Sequence, residues 1–198
     1  RLEPLGGGRV RLHGAKLYTS GAGFVDRAIV PGAWPDGGWQ ICVVPMDEVR
    51  TRIDRSVWQP LGMRASASYL TDFTGVELGP ESLLGVPGDY HRQPWFSGGA
   101  IRFAATQLGG AAALFDAARA ELRALRRADD PFQRARAGEI AALIAGGQGW
   151  LRRAADLLET HPEAFAADPG PPAATTAQIV AHANLARTAI AEACARTI

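Results

Sequence analysis

The hydrophobic pattern of this chain changes period near Pro94, and that change limits the folds open to it more than any other feature. Before it, short apolar alternations are cut repeatedly by glycine and proline, as in antiparallel strands joined by tight turns. After it, apolar residues recur at three- and four-residue intervals, as on amphipathic helices. Strands followed by helices point to an α+β chain: a small antiparallel β-barrel or sandwich over residues 1–92, then an antiparallel α-helical bundle, incomplete, over 93–198.

In the first half, Val10-Arg11-Leu12-His13 alternates, and residues 16–20 read as its hairpin partner beyond a turn at Gly14-Ala15. Gly6-Gly7-Gly8 precedes a strand and not a helix, so it reads as a hairpin turn rather than a phosphate loop. Strands are expected at 24–30 and 40–44, divided by a loop at 31–38, with a short helix or strand at 47–53. A turn at Pro60-Leu61-Gly62 leads into small residues and hydroxyls at 64–68, then a strand over 69–73.

In the second half, Ile101, Ala104, Leu108, Ala112, Phe115 and Leu122 lie on one stripe of a helix expected over 101–126. Asp129-Asp130-Pro131 interrupts it. Asp130 with Pro131 reads as an N-cap followed by proline at the first helical position, opening a second helix to about Leu158. Gly146, Gly147 and Gly149 inside that helix cost about 1 kcal/mol each, and close helix packing is the explanation the pattern offers. A loop at 168–172 and a cap at Thr175 or Thr176 introduce a third helix.

Charge narrows the functional classes. Lys+Arg 21 against Asp+Glu 20 leaves a net charge of +1, so there is no bulk electrostatic case for nucleic acid or an anionic membrane. No apolar run reaches the ~20 residues of a membrane span, and no signal-like segment opens the chain. Cys42 and Cys194 lack metal-ligand spacing and read as buried small hydrophobes in a reducing, cytoplasmic compartment. His13, His91, His161 and His182 are scattered and read as surface or loop residues, so no metal site is expected. The chain starts on Arg1 and stops inside a helical pattern at Ile198, which reads as a fragment truncated at both ends.

Chemistry-bearing side chains cluster in two stretches. Tyr18 and Ser20, two apart on an expected strand, would share a face, where a ring can stack on a planar ligand and a hydroxyl can bond its edge. The alternative is an ordinary cross-strand aromatic pair with an exposed serine. Arg64, Ser66 and Ser68 would place a cation and two hydroxyls on one strand face, suited to an anionic or carbonyl-bearing ligand, or equally to a salt bridge and turn bonds.

Taken together, Gly14-Ala15-Lys16-Leu17-Tyr18-Thr19-Ser20-Gly21, then Trp58 followed by Gly62-Met63-Arg64-Ala65-Ser66, then Pro87-Gly88-Asp89-Tyr90 before a helical region, resemble the acyl-CoA dehydrogenase flavoprotein family. That family carries G-x-K-x-aromatic-x-Thr/Ser and later Trp…G-x-R-x-Ser in its middle domain. The resemblance implies FAD, with Tyr18, Thr19 and Ser20 toward the isoalloxazine ring and Arg126 toward a neighbouring subunit's dinucleotide. It implies an acyl-CoA substrate, with Arg64, Ser66, Ser68 and Arg102 on the substrate side, an electron-transfer acceptor, a place in fatty acid metabolism, and a homodimer or homotetramer. Aligning Gly109 and Asp116 to the family's Gly and Asp puts Gly99 where the isovaleryl-CoA type carries its catalytic glutamate, and glycine cannot abstract a proton. The family's other base lies in a segment beyond Ile198, so the catalytic residue is unknown within this chain. Near Arg126 the loop is short and lacks the family's Phe-Gly pair, so a solvated helix end competes with a dinucleotide contact.

Three functions follow. The first is acyl-CoA oxidation at Cα–Cβ with hydride transfer to FAD. The second is a flavin-dependent monooxygenase of the same architecture, which uses reduced flavin and oxygen and needs no base at the α-carbon. The third is a non-catalytic binding or assembly module.

Overall fold

The computed structural model describes residues 1–165 and 172–197. The chain divides into two compact units, Arg1–Arg92 and Gln93–Ile198.

The first unit is built from three small antiparallel sheets, with no closed barrel among the described residues. β1 (Leu2–Gly6) and β2 (Arg9–Leu12) form a hairpin, and β8 (Glu77–Leu78) pairs on the far side of β2. The hairpin turns through Gly6, Gly7 and Gly8, all at positive φ, where glycine carries no Cβ penalty. β3 (Ala15–Thr19), β7 (Tyr69–Asp72) and β6 (Arg52–Asp54) form the second sheet in that order. β4 (Arg27–Ala33), β5 (Trp39–Pro45) and β9 (Leu83–Leu84) form the third. Leu2, Val10, Val30, Cys42, Val44 and Phe73 are among the buried residues that make one core. Burial there pushes the Cys42 thiol up to about 11.

Two local expectations for this unit are corrected. β3 pairs with β7 and not with β2, because the long-range register Lys16↔Thr71 outcompetes the adjacent turn. Residues 31–33, expected in a loop, continue β4, with Pro31 paired to Ile41. An edge strand tolerates this proline because its outward main-chain positions need no partner.

The second unit holds three helices, α1 (Trp95–Ala124), α2 (Pro131–Thr160) and α3 (Ala173–Thr197). Ala104, Leu108, Ile144 and Ile190 centre their core. Small residues let the helices approach: a Cβ on Gly147 would come within 2.7 Å of Leu108 Cδ1, whereas Gly146 and Gly149 face open space. Asp130 caps α2 as its sequence implies, accepting the N–H groups of Phe132 (2.9 Å) and Gln133 (3.2 Å), with Pro131 behind it. Thr175 and Thr176 do not cap α3, which begins at Ala173 and carries both inside its first turn. The expected loop at 168–172 lies almost entirely outside the described residues. His182 is no loop residue: it sits half-buried on α3, its Nε2 3.1 Å from the Trp150 carbonyl on α2. No described helix is long and apolar enough to cross a membrane.

Candidate functional site

β3 is an edge strand whose pleat is interrupted. Lys16 pairs with Thr71 and Thr19 with Tyr69, so Leu17 and Tyr18 together stand opposite the single residue Leu70. This is a β-bulge, a device that re-aims side chains at a sheet edge. Tyr18 takes the left-handed region at φ 61, uncommon for a residue with a bulky side chain. As a result the consecutive residues 16–20 all line one pocket of ≈ 610 Å³ in the first unit. Tyr18 and Ser20 therefore reach the same cavity through the bulge and not through strand alternation, since β3 ends at Thr19.

Each of these residues presents something different. Tyr18 is 66% exposed, and its ring meets Trp58 edge-on, centroids 6.0 Å apart at 74°. Trp58 is itself held by its indole N–H, which donates to the Met63 carbonyl at 3.3 Å. Thr19 donates its hydroxyl proton to the Tyr69 carbonyl (2.8 Å) and shares a 2.7 Å bond with the Thr71 hydroxyl, which leaves no proton for a ligand. Ser20 is exposed, and its Oγ is bonded to Ser68 Oγ at 2.7 Å.

The remaining wall is apolar, formed by residues such as Val25, Ile29, Met46 and Phe73. Lys16 lines the pocket with its Nζ 4.9 Å from the Trp39 ring centroid, and partial burial holds its pKa below the usual lysine value. Arg27 also lines the cavity but is engaged by Asp47 and Glu48. No carboxylate is among the described residues that line the pocket. A flat ring system with hydrogen-bonding atoms on its edge fits this wall: aromatic surface at the edge of β3, the hydroxyls of Tyr18 and Ser20, and a volume in the range of small-molecule sites.

The other expected site residues are distributed differently. Residues 64–66 form a short 3-10 turn between left-handed Met63 and Ala67, not a strand, so Arg64, Ser66 and Ser68 do not share a pleated face. Arg64 is exposed and its Nε donates to the Pro60 carbonyl at 2.8 Å, closing its own loop. Ser66 and Ser68 bond each other at 2.8 Å. In the helical unit, Arg102 lines a second pocket of ≈ 370 Å³ with Trp95, Ile101, Leu157, Ile179 and His182. Arg126 follows the end of α1, roughly 36 Å along that helix from Arg102 at 1.5 Å per residue. It adopts φ 54 while its N–H bonds Arg123 O and the Arg127 N–H bonds Leu122 O, the paired bonds of a Schellman helix end.

Sequence reasoning passed over Lys16 and Trp58 as site residues, although both stand inside the motifs that drew attention to Tyr18 and Arg64. Val25, Ile29 and Met46 left no local signal, because only the tertiary arrangement brings their strands to β3.

No family model matches the chain. A dibenzothiophene monooxygenase from Rhodococcus erythropolis is 30% identical over 182 residues, covering 81% of this chain and 44% of that protein. The crystal structure of dibenzothiophene monooxygenase from Paenibacillus sp. A11-2 superposes with a TM-score of 0.83 at 24% identity, covering 97% of this chain and 53% of that one. The same enzyme bound to FMN gives 0.81 at 23% identity, covering 97% and 52%. Methanesulfinate monooxygenase from Pseudomonas fluorescens gives 0.75 at 22% identity, covering 99% and 53%. The chain thus spans about half the length of the relatives it matches. With a unit of antiparallel strands followed along the chain by a unit of helices, it has the acyl-CoA dehydrogenase-like fold.

Proposed function

We propose that this chain is the β unit and adjoining helices of a flavin-dependent monooxygenase. The observation that carries the reading is the bulged edge of β3, which offers an exposed tyrosine ring and a serine hydroxyl to the pocket. Gly99 stands where the isovaleryl-CoA type of the family carries its glutamate, and glycine cannot remove an α-proton, whereas oxygenation needs no such base. The relatives favour the same choice: they are named as monooxygenases, one is bound to FMN, and none named above is an acyl-CoA dehydrogenase.

In this reading the reduced flavin supplies two electrons to dioxygen, so that one oxygen atom enters the substrate and the other leaves as water. The chain's own residues bind and orient. Tyr18, steadied by Trp58, packs on the ring; Ser20 bonds a ring-edge atom; Val25, Ile29 and Phe73 keep water from the apolar side. FMN is favoured over FAD by the FMN-bound relative and by the absence of a Phe-Gly pair after Arg126. Substrates with sulfur in or beside an aromatic ring are the first class to test, by the names of the relatives. Homo-oligomeric assembly belongs to the same proposal and is read by sedimentation.

The deciding experiment supplies the purified intact protein with reduced FMN, oxygen and dibenzothiophene, without acyl-CoA. Substrate-dependent oxygen incorporation is the expected result. Bleaching of bound flavin by an acyl-CoA, with no oxygenated product, overturns the reading in favour of a dehydrogenase.

A further inference from the structure

Ser20, Ser68 and Ser66 form an unbroken chain of hydroxyls, with Oγ–Oγ distances of 2.7 Å and 2.8 Å. Ser20 opens on the pocket, Ser68 is 4% exposed, and Ser66 is half-buried. Backbone bonds hold the two segments together: the Gly21 N–H donates to Ser66 O at 2.8 Å and the Ala22 N–H to Ala67 O at 3.3 Å. Left-handed Met63 and Ala67 shape the turn that aims Ser66 and Ser68 at each other.

Each serine hydroxyl has one proton to donate. The buried Ser68 hydroxyl has Ser20 and Ser66 as its neighbours, so it donates to one and accepts from the other. The chain therefore has two directions. When it runs from Ser66 through Ser68 to Ser20, the Ser20 proton is left to face the pocket. When it runs the other way, Ser20 shows the pocket only lone pairs. Reversal needs three rotations about Cβ–Oγ bonds; no covalent bond breaks and no net charge moves.

We propose that this chain is a polarity switch for the flavin ring edge. It presents a donor to oxidised flavin, whose N5 accepts a hydrogen bond, and an acceptor to reduced flavin, whose N5 carries hydrogen. Ser68 and Ser66 are then positioning residues that set the relative affinity of the two redox states, although neither touches the ring. The inference rests on the flavin reading above.

The test is the midpoint potential of FMN bound to the intact protein. Ser66→Ala leaves the Ser68 proton with Ser20 as its remaining partner, because a buried donor left unmade costs more than an idle second acceptor. Ser20 is then driven to donate, oxidised flavin is favoured, and the potential falls. Ser66→Asp installs an acceptor that takes the Ser68 proton, so Ser68 takes that of Ser20. Reduced flavin is then favoured and the potential rises, against the fall that an added negative charge alone would give. Each change shifts the ratio of the two affinities about three- to tenfold, tenfold being about 30 mV for a two-electron couple.

Adding Ser68→Ala removes both chain-borne shifts. Opposite signs that vanish without Ser68 support the switch. Shifts of the same sign, no shift, or shifts that survive the loss of Ser68 overturn it while leaving the flavin site in place. Should Ser66→Asp fail to fold by circular dichroism, the comparison of Ser66→Ala with Ser66→Ala/Ser68→Ala decides in its place: a fall in potential that disappears in the double variant supports the switch, and any other result overturns it. Failure of the unsubstituted protein to bind FMN overturns both the switch and the flavin reading.

Discussion

The Leu108 side chain on α1 occupies the space that a Cβ on Gly147 of α2 would need, its Cδ1 2.7 Å and its Cδ2 3.0 Å from that point. Leu108 is 4% exposed and cannot swing away without opening the helical core. Gly147→Ala is therefore expected to destabilise the protein by about 1–3 kcal/mol through overpacking. Gly146→Ala and Gly149→Ala meet nothing within 4 Å and are expected to stabilise it by about 0.5–1 kcal/mol each, by removing backbone freedom from the unfolded chain. Urea denaturation of the three variants checks the signs; a common sign for all three contradicts the packing argument.

Arg126 pays a conformational penalty at the end of α1 that glycine would avoid. Its φ of 54 closes the paired bonds to Arg123 and Leu122, and its side chain is exposed. Arg126→Gly is expected to raise stability by about 1 kcal/mol, the scale of the left-handed penalty for a residue with a Cβ. Arg126→Ala, which keeps a Cβ, leaves stability nearly unchanged. If the residue serves only this helix end, FMN affinity is the same in all three proteins, which fluorescence titration measures.

Asp130 makes the start of α2 sensitive to acid. The Gln133 N–H, then the Phe132 N–H and the Arg127 guanidinium, hold its carboxyl below the ordinary 3.8. A depressed folded pKa means that the unfolded chain takes up the proton first. The stabilising contribution is complete above 3.8 and is lost as pH falls through the folded value. Asp130→Asn keeps a capping oxygen but cannot titrate. Its melting temperature is expected to fall less than that of the unsubstituted protein as the pH is lowered from above 3.8 into the acid range below it.

Tyr18 contributes a ring more than a hydroxyl. It meets Trp58 through its aromatic body at 6.0 Å, and its side chain is mostly exposed. Tyr18→Phe is expected to retain FMN binding, whereas Tyr18→Ala weakens it up to about tenfold, the order of one aromatic contact. Titration of both variants separates stacking from hydrogen bonding. Equal loss in the two places the phenol hydroxyl, not the ring, in the contact.

The residue order by itself determined the division near Pro94, the three helices, the glycine hairpin between β1 and β2, and the Asp130-Pro131 cap, because period, turn chemistry and capping act over a few neighbouring residues. It also drew Tyr18 and Ser20 to notice. Only the tertiary structure decided how they meet. The pairing of Lys16 with Thr71 and Thr19 with Tyr69 joins segments far apart along the chain and leaves one residue too many on β3, so a bulge replaces the alternation that a straight strand would show. The same long-range contact carries Ser68 to Ser20 and takes Arg64 away to its own loop. Which of the three α2 glycines has a neighbour was likewise settled by helix packing, since nothing local separates Gly146, which faces open space, from Gly147, which lies against Leu108.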